Sequence, residues 1–262
     1  TTAGRKLRTR SIDIYGSAEP HEHYQAPPTL SMGYSYLHDA LSLLDSIYKL
    51  DDWAMNHDME DLKTMLVESQ FLTGGSFYDE YGGFKSSNWD NDDPDKYCHR
   101  VYFFYTYHVL ESLRIIRDFQ GNGETLAQMG VNVDALVEYL DKLVIETPNT
   151  AYVNIRHSDA PADRIEAMYQ LLAISDMVGS LELNTEKILN YVQANVDYEN
   201  WKSVYFGWKI NDFLGGDLTF DVLKTRQLFE STYSARLDDF YLTAERKNID
   251  QAVLHWICDL VK

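Results

Sequence analysis

The 262-residue sequence predicts an all-α fold, with helical hairpins stacked into a complete or partial α/α toroid of inner and outer helices. Three observations carry that expectation. First, the stretch from Cys98 to Phe119 is apolar on nearly every side. Val101, Tyr105, Val109, Ser112 and Ile116 share one face, and Tyr102, Phe103, Leu110 and Leu113 cover much of the rest. A helix of that kind is buried on most sides. Second, the helix behind Asn132 has a single apolar stripe, Val133, Leu136, Val137, Leu140, Leu143 and Val144, backed by Asp134, Glu138, Asp141 and Lys142. Third, the two kinds alternate. Inner-type helices begin near 33, 98, 162 and 202, and outer-type helices near 59, 132, 184 and 219. Helix pairs that cannot bury their faces alone must stack on neighbours. With one helix of each pair buried on both sides, such a stack curls into a ring.

Composition bounds what the ring can do. Apolar residues make up 45% and aromatics 13%, led by 19 Tyr, which places the chain among globular domains. The net charge is −18. The first ten residues carry Arg5, Lys6, Arg8 and Arg10 and no acid, so the body is more acidic still. Such a surface repels phosphate backbones and argues against a nucleic-acid partner. Two cysteines, Cys98 and Cys258, stand far apart outside any CxxC and exclude a disulfide scaffold. Both fall in apolar helical contexts, where a buried free thiol is expected. No apolar run reaches the length of a membrane span. The chain reads as soluble, its compartment open. It carries no leader pattern and does not begin with Met, and is expected to be a mature form or a piece of a longer chain.

Taken in order, residues 1–30 hold Pro20, Pro27 and Pro28 and few aliphatics, the pattern of an extended lead-in. His21-Glu22-His23 is a possible start of a metal site, without a third ligand nearby in sequence. From Gly33 to Leu50 the spacing of Tyr36, Ala40, Leu43, Leu44, Ile47 and Leu50 is helical. A second helix runs from about Met59 to Gln70, followed by a Gly-rich loop from Thr73 to Asn88 and then the apolar helix from Cys98. Asn132 has the place of an N-cap. After a loop from Glu146 to Ala160, Asp159 and Pro161 open a helix that Gly179 stops. Asn184 opens the next. Trp201 to Leu214 is a short aromatic helix closed by Gly215-Gly216, and Phe220 to Lys262 reads as two or three helices. No strand is evident. With no linker, residues 31–262 are expected to form one domain.

Gln70, then Gly82-Gly83-Phe84, then Pro94-Asp95 lead into Tyr105-Thr106-Tyr107-His108-Val109-Leu110-Glu111-Ser112-Leu113. This series is similar to the Q…GGF…D…TYxALxxL repeat of the prenyltransferase and squalene–hopene cyclase superfamily. Weaker echoes are Tyr34-Ser35-Tyr36 with Ala40-Leu41 and Leu44, and Ala167-Met168-Tyr169 with Leu172 and Ile174. The clear match covers about one repeat, roughly residues 62–119. The resemblance implies an α/α toroid. It says little of activity, because such rings host enzymes and binding modules alike.

The acidic loop before the apolar helix holds the candidate site. For a protein prenyltransferase the resemblance implies a zinc ion held by Asp, Cys and a later His, activating a thiolate. Asp95 and Cys98 stand three apart where that family has Asp-x-Cys, and the helix opened by Pro161-Ala162-Asp163-Arg164 carries no His, with His157 upstream in the loop. For a class II terpenoid cyclase the resemblance implies an Asp-x-Asp-Asp motif. Asp90-Asn91-Asp92-Asp93 fits it, with Asp92 as the proton donor, although Pro94 follows where Thr is usual. Such cyclases also build their cavity between two helical domains. The residues themselves offer two further readings. Asp93-Pro94 has the form of an N-cap and first-turn proline, with Asp92 and Asp95 favouring the positive end of the helix dipole. Four acids in one loop also suit calcium, which takes oxygen ligands. The metal candidates are therefore Asp90, Asp92, Asp95 and Cys98, with calcium or zinc as the ion.

Trp89, Tyr102 and Tyr105 are the candidate ligand-contacting aromatics, although an aromatic inner helix more often forms core. Asn211-Asp212 with Asp217 has the composition but not the spacing of a diphosphate–magnesium motif. The expected function is a binding or interaction module for a protein partner or a hydrophobic, isoprenoid-like ligand. An isoprenoid enzyme, by Asp92 protonation or metal-assisted prenyl transfer, is the alternative. A polysaccharide-active (α/α) barrel is a third reading. Its two carboxylates would have to face each other across a cleft, whereas the acids here cluster in one loop.

Overall fold

The computed structural model describes residues 34–72, 80–85, 101–155, 158–216, 218–234, 239–243 and 251–260. Helices dominate, as an all-α fold requires. The chain divides into two compact units, Thr1–Leu140 and Asp141–Lys262. The lead-in over 1–30 lies outside the described residues. Among those described, no helix is long and apolar enough to cross a membrane.

In the first unit, α1 (Tyr34–Ser46) buries Tyr34, Leu37, Leu41 and Leu44 at helical spacing. The expected face was rotated from this one: Leu43 and Ile47 are exposed. The expected single helix also breaks, because Tyr48 takes a left-handed φ of 54°. A short helix, α2 (Leu50–Ala54), follows and buries Leu50 and Trp53. Asp58 caps α3 (Met59–Glu68), its Oδ1 accepting from the Glu60 and Asp61 amides at 2.9 and 3.2 Å. The apolar helix, α4, spans Phe103–Gln120 and ends on Gly121 in the left-handed conformation. Most of α4 is buried, as its all-round apolar character requires. It starts later than expected. Val101 pairs with Lys85 in a β-bridge, and extended Tyr102 occupies the N-cap position. Asp93 and Pro94 lie outside the described residues. α5 (Val133–Leu143) is amphipathic, and Asn132 Oδ1 accepts from the Ala135 amide at 3.0 Å. Within this unit α1 packs on α4.

The second unit contains strands where none were expected. β1 (Val144–Glu146) pairs antiparallel with β2 (Ala151–Val153), and β3 (Tyr233–Ser234) with β4 (Asp239–Phe240). Strands of two or three residues are too short to show alternation, and Val144 reads as the last turn of α5. The Thr147 hydroxyl closes the first hairpin by accepting from the Asn149 and Thr150 amides. α6 (Pro161–Val178) has its proline in the first turn and ends on left-handed Gly179. α7 (Thr185–Asn195), α8 (Trp201–Phe213) and α9 (Val222–Thr232) are capped by Asn184, Asn200 and Asp221, each accepting a first-turn amide. The last described helix is α10 (Gln251–Leu260). Cys258 on it is exposed, correcting the expectation of a buried thiol, because the buried stripe runs through Val253 and Ile257 instead. α6 packs on α8. Trp201, Val204, Leu228, Phe240, Val253 and Ile257 form a core behind it, and Trp201 Nε1 donates to Thr232 Oγ1 at 2.8 Å.

Candidate functional site

The repeat motif is a staple. Gln70 is buried, and its amide nitrogen donates to the Gly82 and Asn132 carbonyls, both at 2.9 Å. Its amide oxygen accepts from the Asn132 amide at 2.8 Å. One side chain therefore joins the end of α3, the glycine turn and the start of α5. Phe71 and the turn exchange backbone bonds, from Phe71 N to Gly83 O and from Gly82 N to Phe71 O. Fully buried Thr106 accepts from the Phe84 amide at 3.0 Å and ties the turn to α4. Only glycine fits at position 82. Its φ is 98°, and a Cβ there would lie 1.8 Å from the Ala135 carbonyl oxygen.

Among the described residues, a cluster of metal-ligand type lies where α1 meets α4. His38 Nδ1 and His108 Nδ1 are 2.8 Å apart. Asp39 Oδ1 lies 3.6 Å from His38 Nδ1, and the three ligand-type atoms fall within 4.8 Å of one another. His38 Nε2 sits 3.2 Å from Ser42 Oγ, one turn along α1. His108 is buried, with Phe104 edge-on at 4.1 Å between ring centroids. Its Nε2 is buried with no hydrogen-bond partner. Burial, helped by the neighbouring His38 and opposed by Asp39, pushes the His108 imidazole down to about 4, so it is neutral at pH 7. Two imidazoles and a carboxylate are a set that can hold a divalent metal.

Two polar clusters in the second unit are built on lysine–carboxylate pairs. Lys202 Nζ on α8 lies 2.8 Å from Asp163 and 2.5 Å from Glu166 on α6. The Ser158 hydroxyl donates to the other Asp163 oxygen. Burial raises the Asp163 carboxyl, but the bonds from Lys202 and Ser158 outweigh it and hold the group below the ordinary carboxylate range. Burial likewise lowers the Lys202 ammonium, and Glu166 and Asp163 together lift it above its ordinary value. The second cluster ties α8 to α10. Asp259 accepts from Tyr205 at 3.1 Å and from Lys209 at 3.2 Å, and the Tyr205 and Trp256 rings stack at 5.4 Å.

Of the residues singled out from sequence, Trp89, Asp90, Asp92, Asp95 and Cys98 lie outside the described residues, as do His21, His23 and His157. Tyr102 and Tyr105 are half-buried at the start of α4, their rings 5.6 Å apart. Asn211 is buried, and its side-chain oxygen accepts from the Leu218 amide at 2.6 Å, a structural use. Sequence reasoning missed His38, Asp39 and His108 as a group. They are 70 positions apart, with no local motif between them. A signal was present. Tyr34-Ser35-Tyr36 echoes Tyr105-Thr106-Tyr107, and each echo carries a histidine one or two residues on. Neither a protein-family model nor a curated protein matches the chain.

Proposed function

We propose that the chain is an α/α-toroid module of the prenyltransferase and cyclase type that binds a hydrophobic, isoprenoid-like ligand without transforming it. The observation that carries this reading is the use made of the repeat motif. Gln70, Gly82, Gly83, Phe84 and Thr106 are all engaged in joining α3, α4 and α5. Residues that build a scaffold carry a likeness of fold and no chemistry of their own. Two further features agree with it. Each unit packs one mostly buried helix on another helix, α4 on α1 and α8 on α6. The start of α4 also offers Tyr102, Tyr105 and exposed Phe104 as apolar contact area.

The test is titration of the whole chain with farnesol, followed by tryptophan fluorescence, with products of farnesyl diphosphate sought by mass spectrometry. Saturable quenching is expected, with no product. Tyr102→Ala and Tyr105→Ala should each weaken binding roughly fivefold, about 1 kcal/mol per lost ring. The reading fails if no saturable binding occurs. It fails equally if product forms and Asp92→Asn abolishes it, which would make the chain an isoprenoid enzyme.

A further inference from the structure

We propose that His38, Asp39 and His108 form a binding site for one divalent transition-metal ion of the zinc class, clamped between α1 and α4. The inference does not rest on the isoprenoid reading. It also uses none of the residues of the 90–98 loop.

The geometry points to a cation. Two Nδ1 atoms and a carboxylate oxygen converge within 4.8 Å. Each of the three can present a lone pair, and one imidazole proton can serve only the contact between the two nitrogens. A shared proton serves one contact among three acceptors. A dication serves all three at once. The two nitrogens stand 2.8 Å apart. Two imidazoles on a tetrahedral zinc, at about 2.0–2.1 Å each, stand about 3.3 Å apart. A rotation of either ring by a few tenths of an ångström closes that difference.

The surroundings fit the same use. With a metal on Nδ1, His38 carries its proton on Nε2, and that N–H faces Ser42 Oγ at 3.2 Å. A hydrogen bond of this kind fixes the orientation and tautomer of a ligating histidine. His108 is buried, its Nδ1 turned toward His38. Asp39 is exposed, so the ion has a path from solvent and room for a water in the fourth position. Imidazole nitrogen with one carboxylate suits zinc, cobalt, nickel or copper, whereas calcium and magnesium require oxygen throughout. Because the ligands are 70 positions apart, binding is coupled to the folded state of the first unit.

The experiment is a calorimetric titration of the chelator-stripped full chain with zinc, repeated with cobalt while the visible spectrum is recorded. One zinc per chain is expected, with a rise in Tm and cobalt ligand-field bands typical of a site with nitrogen ligands. His38→Gln should weaken binding at least about 100-fold, more than the loss of an outer hydrogen-bonding partner does. Asp39→Asn, at an exposed position that cannot threaten the fold, should weaken it roughly 10-fold. Cys98→Ala and the His21→Ala/His23→Ala double variant should change nothing. The proposal is overturned if no ion binds, if His38→Gln and Asp39→Asn bind as the parent does, or if Cys98→Ala removes the ion.

Discussion

Between α6 and α8 an ammonium meets two carboxylates; between α1 and α4 two imidazoles meet each other. Both are packed helix pairs, each within its own unit. The difference is in what the polar groups do for the fold. Lys202 bridges Asp163 and Glu166, Ser158 donates to Asp163, and the shifts of Asp163 and Lys202 both report favourable interactions. In the α1–α4 pair His108 is held neutral by burial, with one ring nitrogen unpartnered. An unsatisfied buried nitrogen costs stability. The Lys202 cluster uses its polarity for cohesion, although Arg164 Nε in the same unit is also buried without a partner. The α1–α4 pair instead sets two imidazoles against each other with His108 Nε2 unpartnered. That is the physical ground for looking to the first unit for a ligand.

The same contrast holds for glycine, and it predicts the largest effect. Gly82→Ala puts a Cβ against the Ala135 backbone at a φ of 98°. Neither can yield, so a loss of about 3 kcal/mol or more is expected in denaturant titration of the full chain. Gly207→Ala in α8 meets only the Val196 and Phe220 side chains, at 3.1 Å and beyond. There the loss should stay within about 1 kcal/mol, with helix propensity offsetting the crowding. Equal effects would erase the contrast.

Lys202→Met comes next. It removes the ammonium that bridges Asp163 and Glu166. A loss of about 1–2 kcal/mol follows from breaking that half-buried bridge, measurable by the same titration. Acid and base sharpen the point. Asp163 is depressed when folded, so its contribution is present above its unfolded value of 3.8 and is lost as pH falls through the folded value. Lys202 is raised, so its contribution is present below 10.5 and is lost as pH rises through the folded value. The second unit should therefore hold its stability across the neutral range, and Lys202→Met should flatten the acid limb of a pH-unfolding curve followed by tryptophan fluorescence.

The smallest effect belongs to the histidine pair. His108→Leu, in metal-free buffer, removes the unpartnered nitrogen and keeps apolar volume beside Phe104. Stability should change by no more than about 1 kcal/mol, in either direction. A loss above about 2 kcal/mol would make the pair a structural bond and would place the two units on the same footing.

Helix type and most helix ends were legible because their causes are local. Asn132, Asn184 and Gly179 mark ends that a cap or a left-handed residue fixes within one turn. The all-round apolar character of α4 needed no tertiary information. Three features were not legible. Val101 reads as helical, yet it pairs with Lys85, because the glycine turn brings a bare backbone edge to it. Leu43 and Ile47 read as core, yet they face solvent, because the helix breaks at Tyr48 and its buried stripe is set by Tyr34, Leu37 and Leu41. Hairpins of two or three residues leave no period to read.

By itself the sequence determined the all-α class, the burial of α4, the amphipathic character of α5 and the acidic charge balance, since each follows from periodicity or composition. Tertiary structure decided the rest. It turned Gln70 from a motif letter into a three-bond staple, and it brought His38 beside His108 across 70 positions. Contacts between distant parts of a chain depend on which faces pack together. Periodicity shows that a face is buried and leaves open what it is buried against.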